Sequence, residues 1–173
     1  LLFREGDKRL PDQQILTTLQ KSTRDFSSED VRKAMGLLAT SPLLQAGLQP
    51  VELDLTRKDV AEFNADEKRQ TPIAEGEVGK LRIAAEKGER LEDLSLLGWY
   101  DLKLKAPAGA ERWFKGALAK RRDEENAKGL YLSLAAQNKQ DDAYAVAEDY
   151  ITEFSDDPEF LMNALSLRFS KPD

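Results

Sequence analysis

Carboxylates carry most of the chemistry this chain could do. With no cysteine and no histidine in 173 residues, thiol nucleophiles, disulfides, imidazole acid–base catalysis and the Ser-His-Asp triad are excluded, as are metal sites ligated by Cys or His. An enzyme would have to work with carboxylate, Lys, Tyr or Ser/Thr groups. Glu75 and Glu77 come nearest to the acid pair of glycan-cleaving enzymes, which needs two acids across a cleft and one raised in pKa by burial. Isolated acids of this kind are common in so acidic a chain. Gly76 and Gly79 make no phosphate loop, because the preceding strand and the Lys-Ser/Thr are missing. The chain therefore reads as non-enzymatic, with no cofactor and no metal.

Binding chemistry is better represented. Asp141, Asp142, Glu148, Asp149, Glu153, Asp156, Asp157 and Glu159 form a stretch with no Lys or Arg between its ends. It suits a solvated face, with Asp141 and Asp142 at a helix N-terminus where they complement the macrodipole. The alternatives are a face for a basic partner or a loose Ca²⁺ site at Asp156-Asp157. One helix earlier, Lys115, Lys120, Arg121, Arg122 and Lys128 read as a charged helix end, placed to complement that acid between successive repeats or molecules. Two aromatic pairs, Trp99-Tyr100 and Trp113-Phe114, could stack on sugar or peptide. One member of each pair must point inward; Phe114 and Trp99 are assigned to the core, leaving Tyr100 or Trp113 for a groove.

The charge balance limits the partners. With 26 basic against 32 acidic side chains the formal net charge is -6, which disfavours nucleic acid and anionic membrane surfaces, since both are bound through clustered Lys/Arg. No apolar run approaches the ~20 residues needed to span a bilayer. The opening LLFREGDKRL puts charges where a signal peptide needs its apolar stretch. Because the first residue is Leu1 and not Met, the chain reads as a processed product or excised fragment. Missing cysteine fits a reducing cytosol and many bacterial periplasmic proteins alike.

These side chains must be positioned by helices, because nearly every regular apolar spacing has the helical period. Pro11 precedes Ile15, Leu16 and Leu19, and Ser27 opens an entry into Val31, Ala34, Met35 and Leu38. Ser41-Pro42 and Thr71-Pro72 each place a hydroxyl at N-cap and a proline at the first helical position, the second being the better start. From Thr71 a helix is expected to run toward Gly88, a C′ residue. Gln49 to Leu55 alternates briefly and predicts an extended connection before a polar helix near Thr56. The expected fold is all-α, with a less regular helical segment over 1–70 and evenly phased helices over 71–173.

The second half contains an internal repeat. Leu94-Ser-Leu-Leu97-Gly98-Trp99-Tyr100 is followed, across Pro107 and Gly109, by Ala110-Glu-Arg-Trp113-Phe114-Lys-Gly-Ala117-Leu118. A looser copy lies about 33 residues further on, with Leu130, Tyr131 and Leu134, a turn at Gln137 to Gln140, then Ala143, Ala147 and Tyr150. Tyr131 stands where glycine is expected and Ala147 where the aromatic is expected. Asp157-Pro158 then closes the copy, and Phe160, Leu161, Ala164, Leu165 and Phe169 begin another helix.

This order resembles the tetratricopeptide (TPR) repeat over residues 90 to 169. The resemblance implies antiparallel helix pairs stacked as a right-handed superhelix, one continuous solenoid over 71–173. Gly98, Ala110, Phe114, Ala117, Ala143 and Ala147 would be its packing positions, with small residues admitting a close helix approach and the aromatic filling the gap between pairs. The partner would be a protein or peptide held on the concave surface, lined by the first helices through Trp99, Asp101, Tyr131 and Ser133. Wording such as Leu-Gly-Trp-Tyr and Ala-Lys-Gly-Leu-Tyr-Leu-Ser-Leu is also similar to TPR scaffolds of bacterial exopolysaccharide (cellulose-type) secretion. That similarity implies a periplasmic location and adds polysaccharide as a second kind of partner.

Overall fold

Local signals at helix ends account for much of the architecture. The computed structural model describes residues 4–5, 8–38 and 42–150, together with Met162 and Ser166. Among these residues there are eight α-helices: α1 Asp12–Asp25, α2 Ser28–Gly36, α3 Pro42–Ala65, α4 Glu75–Glu86, α5 Glu92–Lys103, α6 Pro107–Lys120, α7 Glu124–Ala136 and α8 Gln140–Asp149. A two-residue-per-strand antiparallel ladder precedes them, β1 Arg4–Glu5 with β2 Lys8–Arg9, pairing Arg4 with Arg9 and Glu5 with Lys8. Apart from this ladder the described fold is helical, as the apolar spacing predicted.

The caps are legible one by one. Ser27 accepts from the Asp30 backbone N–H and donates its hydroxyl to the Asp30 carboxylate, starting α2. Asp123 does the same work for α7, accepting from the backbone N–H of Asn126. At the other ends, Gly88, Lys105 and Asn138 adopt positive φ of 75°, 59° and 59°. Each closes its helix with the paired bonds of a left-handed C-terminal cap: Gly88 N–H to Ala85 and Glu89 N–H to Ala84, Lys105 to Leu102 and Ala106 to Asp101, Asn138 to Ala135 and Lys139 to Leu134.

Two sequence expectations are corrected. Gln49 to Leu55 is not extended but lies inside α3, which also absorbs the helix expected near Thr56. Leu44, Leu48, Val51 and Leu55 are all buried, so the spacing that matters is helical, and the alternation through Leu53 was incidental. Pro50 is accommodated on an exposed face, leaving the Ala46 carbonyl without its intrahelical donor. Nor does Thr71 cap α4, which starts at Glu75 with the Ala74 carbonyl accepting from Glu77 and Val78. Ile73 and Val78, one before and four after that cap, are both buried, the placement of a hydrophobic staple. Burying Ile73 holds the chain off helical geometry until Ala74.

The chain divides into two compact units, Leu1–Glu62 with Ile73–Leu81, and Phe63–Pro72 with Arg82–Asp173, the division falling inside α3 and α4. In the first unit α1, α2 and α3 pool Ile15, Leu19, Val31, Met35, Leu44, Leu48, Val51 and Leu55 into one core. In the second, α5 packs on α6, α6 on α7 and α7 on α8, with α5 also reaching α7. Short turns between packed neighbours make successive helices antiparallel. The core there is built of Ala110, Phe114, Ala127, Leu130, Tyr131, Leu134, Ala143, Ala147 and Tyr150. The helix expected from Phe160 to Phe169 lies outside the described residues, except Met162 and Ser166, which are helical.

Candidate functional site

Two glycines and one aromatic ring set the spacing of the second unit. Phe114 is fully buried on α6. A Cβ built on Gly98 of α5 would lie 2.6 Å from the ring's Cε1, and one built on Gly129 of α7 would lie 2.3 Å from its Cζ. The ring is therefore clamped between the backbones of two different helices, which no larger residue at either position would allow. Full burial of such a side chain contributes about 2–3 kcal/mol. The ring of Trp99 meets Phe114 edge-on, with centroids 5.1 Å apart. Ala110, Ala143 and Ala147 are buried in the same core, and Ala117 is buried on α6.

A second cluster centres on Asp101, which is only 5% exposed. Its Oδ1 lies 2.7 Å from an Arg82 guanidinium nitrogen, and its Oδ2 accepts from the Trp113 indole N–H at 3.0 Å. A Cβ on Gly109 would sit 2.6 Å from the same Oδ2. Asp101 thus joins α4, α5 and α6 through groups that are all hydrogen-bonded, which is what makes a buried carboxylate tolerable. Arg112 lies 4.3 Å from the Trp113 ring centroid. Nearby, Lys103 donates to the carbonyls of Phe63 and Asp66 and lies over the Phe63 ring, satisfying the end of α3 with a cation.

These two clusters fix where the expected groove residues sit. Tyr100, Asp101, Trp113, Tyr131 and Ser133 are all buried, and so do not line an open surface. Each has an inward reason. Tyr100 packs against Phe63 at 5.2 Å between ring centroids, Trp113 serves Asp101, and Ser133 donates to the Gly129 carbonyl at 2.6 Å within α7. Burial pushes the Tyr131 phenol above its ordinary pKa. Trp99, assigned to the core beside Phe114, is instead only partly buried, and its indole N–H donates to the exposed Glu125 carboxylate at 3.1 Å. The Trp99–Glu125 pair, one residue from α5 and one from α7, is the polar aromatic feature these helices leave open to solvent.

Charge is arranged within the chain. Arg122 pairs with Asp149 at 3.1 Å and lies 3.8 Å from the Tyr150 ring centroid, so the basic connection between α6 and α7 meets the acidic end of α8. Glu111 accepts from Lys115 at 2.6 Å, Lys139 at 2.7 Å and Gln137 at 2.8 Å, and the lysines lead in holding its carboxyl down at about 2. Glu77 in the first turn of α4 accepts from Arg32 at 3.3 Å, an ion-pair role, while Glu75 lies in the same turn. Among the described residues no group of three or more Asp and Glu is placed to hold a metal ion, and Asp156-Asp157 lies outside them.

Gly129 is the important residue that the sequence reading passed over. Its signal was a lone glycine in an apolar helical run, two positions before the site where the repeat pattern asked for one. No protein-family model, curated protein or solved structure matches this chain.

Proposed function

We propose that this protein is a non-enzymatic interaction or scaffold module, built from TPR-like helix pairs that stack as a right-handed superhelix. The observation that carries the reading is the seating of Phe114 between Gly98 and Gly129, where the aromatic of one helix hairpin fills the gap to the next. The left-handed caps at Lys105 and Asn138 support it, since they end α5 and α7 at the same point of each hairpin, about 33 residues apart. Such a module acts by presenting side chains, and no bond is made or broken. The partner is a protein or peptide segment bearing a basic residue, received where the Glu125 carboxylate is exposed beside the Trp99 indole.

A photo-crosslinking residue at Glu125 tests this. It should capture a discrete protein partner that the same group at Lys33 on α2 does not; equal capture from both positions, or none from Glu125, rejects the module.

A second reading rests on the partial exposure of Trp99. The module would be a carbohydrate-binding part of a bacterial envelope or exopolysaccharide-export system, with the indole stacking on sugar. Titration with a bacterial polysaccharide should then shift the Trp99 fluorescence in a Trp113→Phe background. An unchanged spectrum across cellulose-type glycans removes this reading and leaves the first intact. A carboxylate-based glycan-active enzyme is the least supported alternative, since Glu75 and Glu77 share one helical turn and do not oppose each other across a cleft.

A further inference from the structure

A cavity of about 280 Å³ opens within the first unit, lined from α2, α3 and α4. Met35, Leu48 and Leu53 supply apolar walls. Four charged side chains share the lining as two ion pairs: Arg32 with Glu77, Nη2 to Oε2 at 3.3 Å, and Lys80 with Glu52 at 2.9 Å. Arg32 has a tighter second partner in Asp59, whose carboxylate lies 2.6 Å from Nη1 and takes no part in the lining. Its guanidinium is therefore fixed by one nitrogen, while the other, at the longer distance, is free to exchange partners.

We propose that this cavity binds a small zwitterion with an apolar side chain, of the class of the free aliphatic and aromatic α-amino acids. The ligand carboxylate accepts from Arg32 Nη2 and Lys80 Nζ, its ammonium donates to Glu77 and Glu52, and its side chain lies against Met35, Leu48 and Leu53. Charge selects this class. The lining holds two cations and two anions, so a simple carboxylate would face two glutamates and a simple amine would face Arg32 and Lys80. A ligand carrying both signs can pair with both cations and both glutamates, which a simple carboxylate or a simple amine cannot.

Size agrees with that choice. The space falls just short of the ~300–1,000 Å³ of pockets for drug-sized ligands and far exceeds the ~30 Å³ share of one water. The existing ion pairs do not oppose entry strongly, because their side chains are 30–62% exposed and such pairs are weak. Discrimination among amino acids then falls to the apolar walls. Gly36 also lines the cavity, and a Cβ there would meet nothing within 4 Å, so a side chain can be introduced at the cavity wall without a clash.

Calorimetric titration of the whole chain with leucine, phenylalanine, alanine, N-acetyl-leucine and leucinamide tests the assignment. Leucine or phenylalanine should bind saturably. Capping either charged group should weaken binding at least about tenfold, and alanine should be about ten- to hundredfold weaker than leucine for lack of buried surface. Gly36→Leu should abolish binding while leaving the helical circular-dichroism signal intact. Should that variant not fold, Lys80→Gln and Glu52→Gln, both at solvent-exposed side chains, should each weaken leucine binding. The proposal is overturned if no amino acid binds saturably, if either capped analogue binds as tightly as leucine, or if the variants that fold bind like the parent. Because the cavity lies in the first unit, failure here leaves the interaction reading of the second unit standing.

Discussion

Phe114 and Gly129 lie so close that a single methyl group at residue 129 would stand 2.3 Å from the ring. This contact ties α6 to α7, and with Gly98 on the other side it sets the distance between successive helix hairpins. Gly129→Ala should therefore destabilise the protein by about 1–3 kcal/mol, the usual range for overpacking. It does so although alanine is the better helix former by about 1 kcal/mol. Gly116→Ala on α6 is the control: the added Cβ meets only Leu94 at an ordinary 3.8 Å, and the change should stabilise. Urea unfolding of the two variants should give midpoint shifts of opposite sign; shifts of the same sign would refute the clamp.

Asp101 is a structural carboxylate on this geometry. Asp101→Ala leaves the Trp113 indole N–H and the Arg82 guanidinium without their shared acceptor, which should cost about 2–4 kcal/mol, below the full range for a broken buried pair because Arg82 keeps 28% exposure. A change in tryptophan emission should accompany the loss in the folded state. In a Trp113→Phe background the same substitution should cost less, since one of its two partners is already gone.

Acid should weaken the α6–α7–α8 junction through Glu111. Its folded pKa is lowered to about 2 from 4.5, so its contribution is fully present above 4.5 and is lost as pH falls toward 2. Lys115 and Lys139 are well exposed, and solvent screening holds the contribution to about 1 kcal/mol. Denaturation of the parent and of Glu111→Gln between pH 7 and pH 2 should show a gap that closes across that interval. A gap independent of pH would remove the ion-pair account.

Lys105 holds a left-handed conformation that ordinary residues disfavour by about 1–2 kcal/mol. Lys105→Gly should raise stability by about 1 kcal/mol, and Asn138→Gly by less, since asparagine tolerates that region better. Thermal melting of the two variants measures the difference.

The helical class and two of the helix ends could be read directly. Ser27 marked the start of α2 and Gly88 the end of α4, because capping is settled by a few neighbouring backbone groups. Where longer-range burial competed, local reading failed. The proline at Thr71-Pro72 was a good local start, yet burial of Ile73 delayed the helix to Glu75, and Pro50 was overruled by the four buried positions from Leu44 to Leu55 that hold α3 together. The aromatic pairs show the same limit. Sequence order said that one member of each pair must turn inward. Partners far along the chain decided the outcome: Phe63 drew in Tyr100 while Glu125 took the Trp99 N–H at the surface, and Asp101 drew in Trp113 so that both members of the second pair are buried.

By itself, then, the sequence determined the helical class, the helix ends at Ser27 and Gly88 and the absence of thiol and imidazole chemistry, all properties of residue type and short-range spacing. The tertiary structure decided which side chains are buried, and with it that Gly129 rather than residue 131 supplies the second glycine against Phe114. That choice turns on helix rotation and separation, which are fixed only when two backbones compete for the volume of one ring.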